Sequence, residues 1–226
     1  MFNLFNNKTL VNTNTLVQLL DDTISARVQN LGLVRQSDYL WHSLSVDTIR
    51  PGLQYMQLKG GQGTFTWGVC IDFVPLVTGN NLTFFKSDKK FKFHAFEWTD
   101  EYSNSFFGGQ LQDGVTTHWG LNNAKKSIKS LFDKNENKII KWFDNAKTLE
   151  SLIATLEQQV TIGRQYNFHW PNPKYVLAFL YAKANQTEKA IQLFDTLSMT
   201  DFDNKEILQS NARIKLLELT AKKNGT

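Results

Sequence analysis

The sequence has a single cysteine, Cys70, among its 226 residues. One cysteine cannot form an intramolecular disulfide, so the chain is not a disulfide-stapled scaffold, and it fits a reducing compartment. No apolar run approaches the length of a membrane span. Residues 1–8 lack the basic leader and apolar core of a secretion signal. We therefore expect a cytoplasmic protein with no membrane partner.

The sequence also has little that indicates catalysis. Its histidines are too scattered for the close spacing typical of metal sites; they are His42, His94, His118 and His169. The Gly60–Gly63 stretch lacks the Lys-Ser/Thr pair of a phosphate-binding loop and precedes a strand pattern. We predict no catalytic residue, no metal and no cofactor.

An enzyme with an unrecognised site remains an alternative. Such an enzyme would need ionisable side chains to converge in one pocket, with His94, His118 or Asp72 as candidates. Cys70 is a poor nucleophile candidate because its same-face strand neighbours, Gly68 and Asp72, supply no positive charge. The sequence favours a small packed residue at this position.

The net charge is +4, and the basic excess lies in the C-terminal half. Residues 123–147 carry seven lysines against three acids. Such a lysine-rich segment is typical either of a solvated helix face or of a surface for an anionic partner.

Large apolar residues occupy alternate positions in the central part of the chain: Phe65, Trp67, Val69, Ile71 and Phe73. Alternation predicts a strand with one buried face, which needs a covering layer. Helical spacing of leucines predicts a helix from Thr15 to Leu31, capped by Asn14 or Thr15 and ended by Gly32. We expect that helix to cover the strand.

Shorter alternating segments predict further strands at 39–46, 53–59, 82–85, 91–98 and near 115–119. The glycine-rich stretch 59–63 is typical of a hairpin loop between two strands. These patterns predict an α+β fold: an antiparallel sheet of about five or six strands, packed by the N-terminal helix and followed by a helical region.

The C-terminal half has helical periodicity. The polar stretch 133–137 predicts two helices rather than one between residues 123 and 145, and Thr148 is a cap candidate for the next helix. Pro171-Asn172-Pro173 predicts a boundary. We expect an α+β domain over residues 1–160 and a helical appendage over residues 171–226.

Part of this appendage resembles one tetratricopeptide repeat. The matching positions in the helical pair 174–184 and 187–197 are Leu177, Ala178, Tyr181, Ala190 and Phe194. Lys174 stands at the family's tryptophan position, and Asn185 stands where a turn glycine is usual. A single repeat cannot bury its own face, so we expect it to pack on helix 204–223 and on the preceding body as a structural cap.

The first two thirds resemble an uncharacterised bacterial family of small α+β domains. The segments that carry this resemblance are Leu31-Gly32-Leu33, Tyr39-Leu40-Trp41, 53–57, 65–69 and Trp142-Phe143-Asp144. Candidate immunity proteins of bacterial toxin systems belong to that family. The resemblance implies a protein that acts by binding, with a toxin as the partner and occlusion as the mechanism. The mildly basic charge disfavours a nuclease as the target.

Two segments are our candidates for the contact surface. The loop 100–114 contains Tyr102, Phe106 and Phe107, and aromatic anchors dominate many protein interfaces. The polar turn 86–90 contains Lys86, Lys89 and Lys90. These six residues are the predicted partner-binding residues.

Nucleic-acid binding is the other alternative. The same lysines and Lys92 lie beside Phe91 and Phe93, and basic side chains interleaved with aromatics are typical of surfaces that bind single strands. Such a protein would bind oligonucleotides with an affinity that falls steeply as salt rises.

Overall fold

A computed structural model describes residues 9–44, 47–99, 114–162 and 171–221. The N-terminal helical segment comprises α1 (Thr13–Leu20), one wider turn (Asp21–Ser25) and α2 (Ala26–Asn30). Eight strands follow: β1 (Val34–Ser37), β2 (Leu40–His42), β3 (Ile49–Leu58), β4 (Gln62–Ile71), β5 (Leu76–Thr78), β6 (Asn81–Thr83), β7 (Ala95–Trp98) and β8 (Thr116–Thr117).

Helices make up the rest of the described chain. They are α3 (Leu121–Asn145), α4 (Leu149–Ile162), α5 (Pro173–Lys183), α6 (Thr187–Asp195), a 3₁₀ turn (Met199–Phe202) and α7 (Glu206–Ala221). Among the described residues, no helix combines the length and the apolar composition that crossing a membrane requires.

The sheet confirms the predicted α+β class. Its strands are ordered β1-β2-β3-β4-β7, and β8 pairs with β4 in addition. The pairings β1–β2, β2–β3 and β4–β8 are antiparallel, with Trp41 opposite Leu53 and Gly63 opposite Thr116. Strands β5 and β6 form a separate antiparallel hairpin.

The N-terminal helical segment matches the predicted one closely. It begins at Thr13, slightly earlier than expected, because the Asn12 side chain accepts a hydrogen bond from the Thr15 amide at 2.9 Å and so caps α1. Gly32 follows its end with a positive φ of 76°, as the predicted stop requires. The buried stripe of the segment contains Leu16, Leu20, Ile24 and Val28.

The central strand β4 differs from the prediction in two respects, and the first is that it ends at Ile71, before Phe73. Residues 63–71 are all buried, so both faces of the strand are covered rather than one. Phe65, on the predicted apolar face, packs edge-on against Phe132 of α3 with ring centroids 5.5 Å apart. On the opposite face Thr64 and Thr66 donate to the carbonyls of Gly114 and Glu97, while Cys70 packs with Leu76 and Phe85.

Several strand boundaries also differ from the prediction. Strand β1 was not predicted, and the strand predicted over residues 91–98 is ordered as β7 from Ala95 only. Just before β7, outside the regular strand, the His94 amide donates to the carbonyl of Val69 in β4 at 2.8 Å. Periodicity alone does not reveal such an irregular approach to a strand.

Between residues 121 and 145 the prediction of two helices is wrong, because α3 is continuous. The buried Asn135 donates from its amide nitrogen to the Leu131 carbonyl at 2.9 Å, one turn back. Arg27 pairs with Asp133 and Glu136 and lies over the Phe132 ring, 4.7 Å from its centroid. These contacts allow the helix to continue through the polar stretch.

The tetratricopeptide-like segment forms the predicted helical pair, α5 and α6. Asn185 adopts a positive φ of 62° in the turn between them, a conformation that asparagine tolerates when glycine is absent. All eight residues from Tyr175 to Ala182 are buried, and α5 packs against α4, α6 and α7. Helix α5 is therefore enclosed, and the role of this helical pair as a structural cap stays a prediction.

The chain divides into two compact units. The first comprises Met1–Ser45, Pro51–Gly68 and Phe96–Phe143; the second comprises Val46–Arg50, Val69–Ala95 and Asp144–Thr226. The C-terminal helices therefore belong to the same unit as residues 69–95. The predicted division into residues 1–160 and 171–226 stays a prediction.

Candidate functional site

The predicted lysine-bearing turn lies between β6 and β7 in the second unit. We call residues 86–90 the lysine turn. The Lys90 amide donates to the Ser87 carbonyl at 3.1 Å, and the Lys89 amide donates to the Ser87 hydroxyl at 3.2 Å. All three predicted lysines, Lys86, Lys89 and Lys90, are exposed. The turn thus presents three ammonium groups from an ordered backbone.

A buried arginine lies behind this turn. Arg50, near the start of β3, is only 1% exposed. Its guanidinium donates to the carbonyls of Phe85 at 2.7 Å, of Ser87 at 2.9 Å and of Lys90 at 2.9 Å. The rigid fork of a guanidinium can bind several acceptors at once. Arg50 therefore fixes the backbone at both ends of the lysine turn.

The partners of Arg50 make this site electrostatically unusual. These three hydrogen bonds run to carbonyl dipoles, and a fourth runs to the Cys70 sulfur. Carbonyls satisfy the donors of a buried cation but do not compensate its charge. From residue 86 to residue 92 four lysines accompany one acid, Asp88. Positive charge therefore accumulates at and behind the turn.

Asp72 is an acidic group that interacts electrostatically with these positive charges. Its carboxyl is half-buried, and burial raises its pKa, while the nearby charges of Lys86, Lys183 and Arg50 act in the opposite direction. Burial is the larger effect. Asp72 is thus a carboxyl group placed among the positive charges of the site.

Two half-buried aromatic rings accompany the lysines. The Lys86 ammonium lies 5.2 Å from the centroid of the Phe84 ring, and the Lys183 ammonium lies 5.4 Å from that of Phe73. Cations over aromatic faces are attracted by the ring quadrupole. One face of each of these two rings thus lies under an ammonium group of the same unit.

Cys70 is a packed residue, as predicted. Its side chain is buried with Leu76 and Phe85. Arg50 does supply the positive charge that its strand neighbours lack, by donating to the sulfur at 3.3 Å. Burial nevertheless raises the pKa of the Cys70 thiol, so the thiolate needed for nucleophilic attack is disfavoured.

His94 has a structural role in the same unit. Its Nδ1 accepts a hydrogen bond from the Ile71 amide at 3.0 Å, so its Nε2 carries the proton and donates to the Val74 carbonyl at 2.8 Å. Complete burial lowers the pKa of His94 to about 4. The neutral ring therefore connects the end of β4 to the turn that follows it through two hydrogen bonds. The Tyr175 hydroxyl donates to the Pro75 carbonyl in that turn at 2.6 Å.

His118 belongs to a different cluster, in the first unit. Its Nε2 lies 2.7 Å from the Tyr55 hydroxyl, which also contacts the Thr116 hydroxyl. Burial lowers the pKa of His118. A side chain at Gly63 would overlap the Tyr55 ring, so the last glycine of the glycine-rich stretch serves close packing.

The two candidate histidines of an enzyme site take part in separate hydrogen-bonded groups, His94 in the second unit and His118 in the first. Within residues 9–44, 47–99, 114–162 and 171–221, no three histidine, cysteine or acidic side chains lie close enough together to hold a metal ion. His94 and His118 each have a packing role instead.

The aromatic half of the predicted contact surface lies outside the described residues. Tyr102, Phe106 and Phe107 all fall between residues 100 and 113. The lysine half is described, and the structure adds Arg50, which sequence reasoning missed. Arg50 gives no signal in the sequence, because the three carbonyls that it binds belong to residues 35 to 40 positions further along the chain.

No protein-family model matches the chain, and searches of curated proteins and of solved structures found no match either. The resemblance to the bacterial α+β family thus rests on the residues that carry it in the sequence.

Proposed function

We propose that this protein acts by binding, and that the lysine turn contacts an acidic surface of a partner protein. One observation carries the proposal: the buried Arg50 guanidinium donates to the carbonyls of Phe85, Ser87 and Lys90. A loop fixed before binding loses less conformational entropy when the complex forms. The lysine turn is therefore suited to recognition.

The charge of the turn supports an acidic partner. Exposed lysines steer a complementary surface toward the site and raise the association rate, more than they raise the final affinity. In its specific form, the proposal is that the partner is a bacterial toxin, which this protein neutralises by occlusion.

The aromatic geometry favours a protein over a nucleic acid. Bases stack on free aromatic faces, but ammonium groups lie over the Phe84 and Phe73 rings. Phe91 and Phe93 pack edge-to-face against each other, with centroids 5.0 Å apart. These contacts leave fewer ring faces for stacking.

Site-specific crosslinking in the native host tests this proposal. A photoreactive amino acid at Lys89 is expected to crosslink one protein, and the same amino acid at Lys125 on α3 is the matched control, since both lysines are exposed. An adduct with the product of a neighbouring toxin gene supports the specific form. A nucleic-acid adduct at Lys89, or equal protein adducts at Lys89 and Lys125, contradicts the proposal.

Oligonucleotide binding provides an independent check. We expect no mobility shift with single-stranded or double-stranded oligonucleotides, even at low salt. A mobility shift that disappears steeply as salt rises would indicate that the partner is a nucleic acid rather than a protein.

A further inference from the structure

Helix α7, in the second unit, carries apolar side chains on two opposite faces. Leu208, Ala212 and Leu216 are buried on one face. On the other face Ile207 is 75% exposed, Ile214 is 51% exposed and Leu217 is 37% exposed. A helix that ends a stack of helical hairpins needs a polar outer face for solubility. The outer face of α7 is instead an apolar stripe that the described residues leave largely uncovered.

The stripe follows a seven-residue spacing. Ile207, Ile214 and Ala221 are seven residues apart, and Ser210 and Leu217 lie at the intermediate positions, three residues after each isoleucine. At 100° per residue these five positions fall within an arc of about 80°. This is the spacing of a coiled-coil seam, and isoleucine at the first position with leucine at the fourth favours two parallel helices. We call these five residues the α7 seam.

Charges beside the seam fit a second copy of the same helix. In a parallel pair, a residue just before the first seam position meets the residue five positions further along on the partner helix. Arg213 would therefore meet Glu218 of the other copy, and the two-fold symmetry forms this pair twice. The seam brings opposite charges together on both of its sides.

These two side chains have exposed partners within one copy. Arg213 lies 3.2 Å from Asp195, and Glu218 lies 2.9 Å from Lys215. Exposed ion pairs of this kind contribute little to stability. Exchanging them for contacts across the seam therefore costs little.

We propose that the α7 seam is a self-association surface, on which two copies of this protein pair with their α7 helices parallel and in register. Helix α7 is already folded against α5, so pairing does not have to order a free helix. A seam of two heptads buries a small area, and the dimer is accordingly weak and depends on concentration.

Sedimentation velocity over a concentration series tests the proposal. The wild-type sedimentation coefficient is expected to rise with concentration. Ile214→Glu places two unpaired carboxylates in the seam, and it should weaken the dimer at least about tenfold. Ile140→Glu is the matched control, because Ile140 is 38% exposed on α3, and it should leave the dimer unchanged. Circular dichroism should show that both variants fold.

Disulfide crosslinking tests the contact at the centre of the seam. Parallel pairing brings each Ile214 against its counterpart, within reach of a disulfide when both are cysteine. The native Cys70 is buried, so mild oxidation of Ile214→Cys should give a covalent dimer on a low background. Asn211→Cys, on the flank of the seam, should crosslink much less.

Three outcomes would overturn the proposal. They are a wild-type protein that stays monomeric at all concentrations, a dimer that survives Ile214→Glu, and equal crosslinking through positions 211 and 214. Crosslinking of Ile207→Cys to Ala221→Cys in a mixture, without crosslinking of Ile207→Cys to itself, would replace the parallel arrangement by an antiparallel one.

Discussion

Replacing Arg50 by methionine would remove the donor that three backbone carbonyls of the second unit share. Buried carbonyls left without donors cost free energy, and methionine cannot replace the lost bonds. We expect Arg50→Met to lower the free energy of unfolding by about 3 kcal/mol, measured by urea denaturation.

The exposed Lys86 offers the control for this measurement. Lys86→Met changes an exposed side chain and should change stability by less than about 0.5 kcal/mol. Hydrogen exchange should also show faster exchange of the Lys89 and Lys90 amides in Arg50→Met. If Arg50→Met is as stable as Lys86→Met, Arg50 does not hold the lysine turn.

His94 makes stability depend on pH. The pKa of His94 is about 4 in the folded chain, against about 6.5 when unfolded. Between these values the unfolded chain binds a proton that the folded chain does not, so stability rises with pH there. Acidification from pH 7 to pH 4 should remove about 3 kcal/mol through His94 alone.

The test compares two pH profiles. Wild type and His94→Gln are unfolded in urea at several pH values, and the slope between pH 4 and pH 6.5 should be smaller in the variant. His118 and the carboxyl groups contribute to both profiles, so the difference in slope isolates His94. Equal slopes would mean that His94 is protonated in the folded state.

At the scale of elements, α3 shows how a buried polar group is accommodated in a continuous helix. Asn135 is 1% exposed, and its side-chain oxygen has no hydrogen-bond partner among the described residues. Leucine has a similarly branched side chain, which is larger and has no polar atoms. We expect Asn135→Leu to raise the free energy of unfolding by about 1 kcal/mol, measured by urea denaturation.

A second variant at the same position provides the comparison. Asn135→Ala removes the same polar atoms but leaves a cavity beside Leu131 and Phe132, so it should be less stable than Asn135→Leu. A destabilised Asn135→Leu protein would contradict the expected gain from removing the unpaired oxygen.

The sequence was informative wherever periodicity decides structure. The leucine spacing predicts the N-terminal helical segment, and the alternation that begins at Phe65 predicts β4, which ends at Ile71 rather than at Phe73. Polar residues inside elements were harder to interpret. In the sequence, Asn135 and Asp133 indicate a helix break, and only their contacts with Leu131 and Arg27 explain why the helix continues. Those contacts are tertiary or depend on burial, and no local pattern encodes them.

The candidate site also has one part that the sequence predicts and one part that it does not. The exposure of Lys86, Lys89 and Lys90 could be predicted, because a run of lysines between two strands belongs to a surface turn. The role of Arg50 could not be predicted, since it depends on bringing β3 next to a turn 35 to 40 residues further along the chain.

At the scale of the whole molecule, charge distribution links the site to the proposed function. The net charge of +4 is too small to imply general affinity for polyanions, whereas residues 86–92 concentrate four lysines at and beside the lysine turn. A partner steered by this turn should associate more slowly as salt rises, with a smaller change in the dissociation rate. Stopped-flow kinetics with the crosslinked partner would measure both rates.

The most direct test of the account is the dissociation constant of that partner for a charge-reversed lysine turn. Lys86→Glu/Lys89→Glu/Lys90→Glu should weaken binding at least about 100-fold, since like charges then face each other at the contact. The control, Lys125→Glu/Lys126→Glu/Lys141→Glu, makes the same change in net charge on exposed positions of α3 and should weaken binding less than about threefold. Equal losses in the two triple variants, or no loss in the first, would contradict the claim that the lysine turn is the binding site.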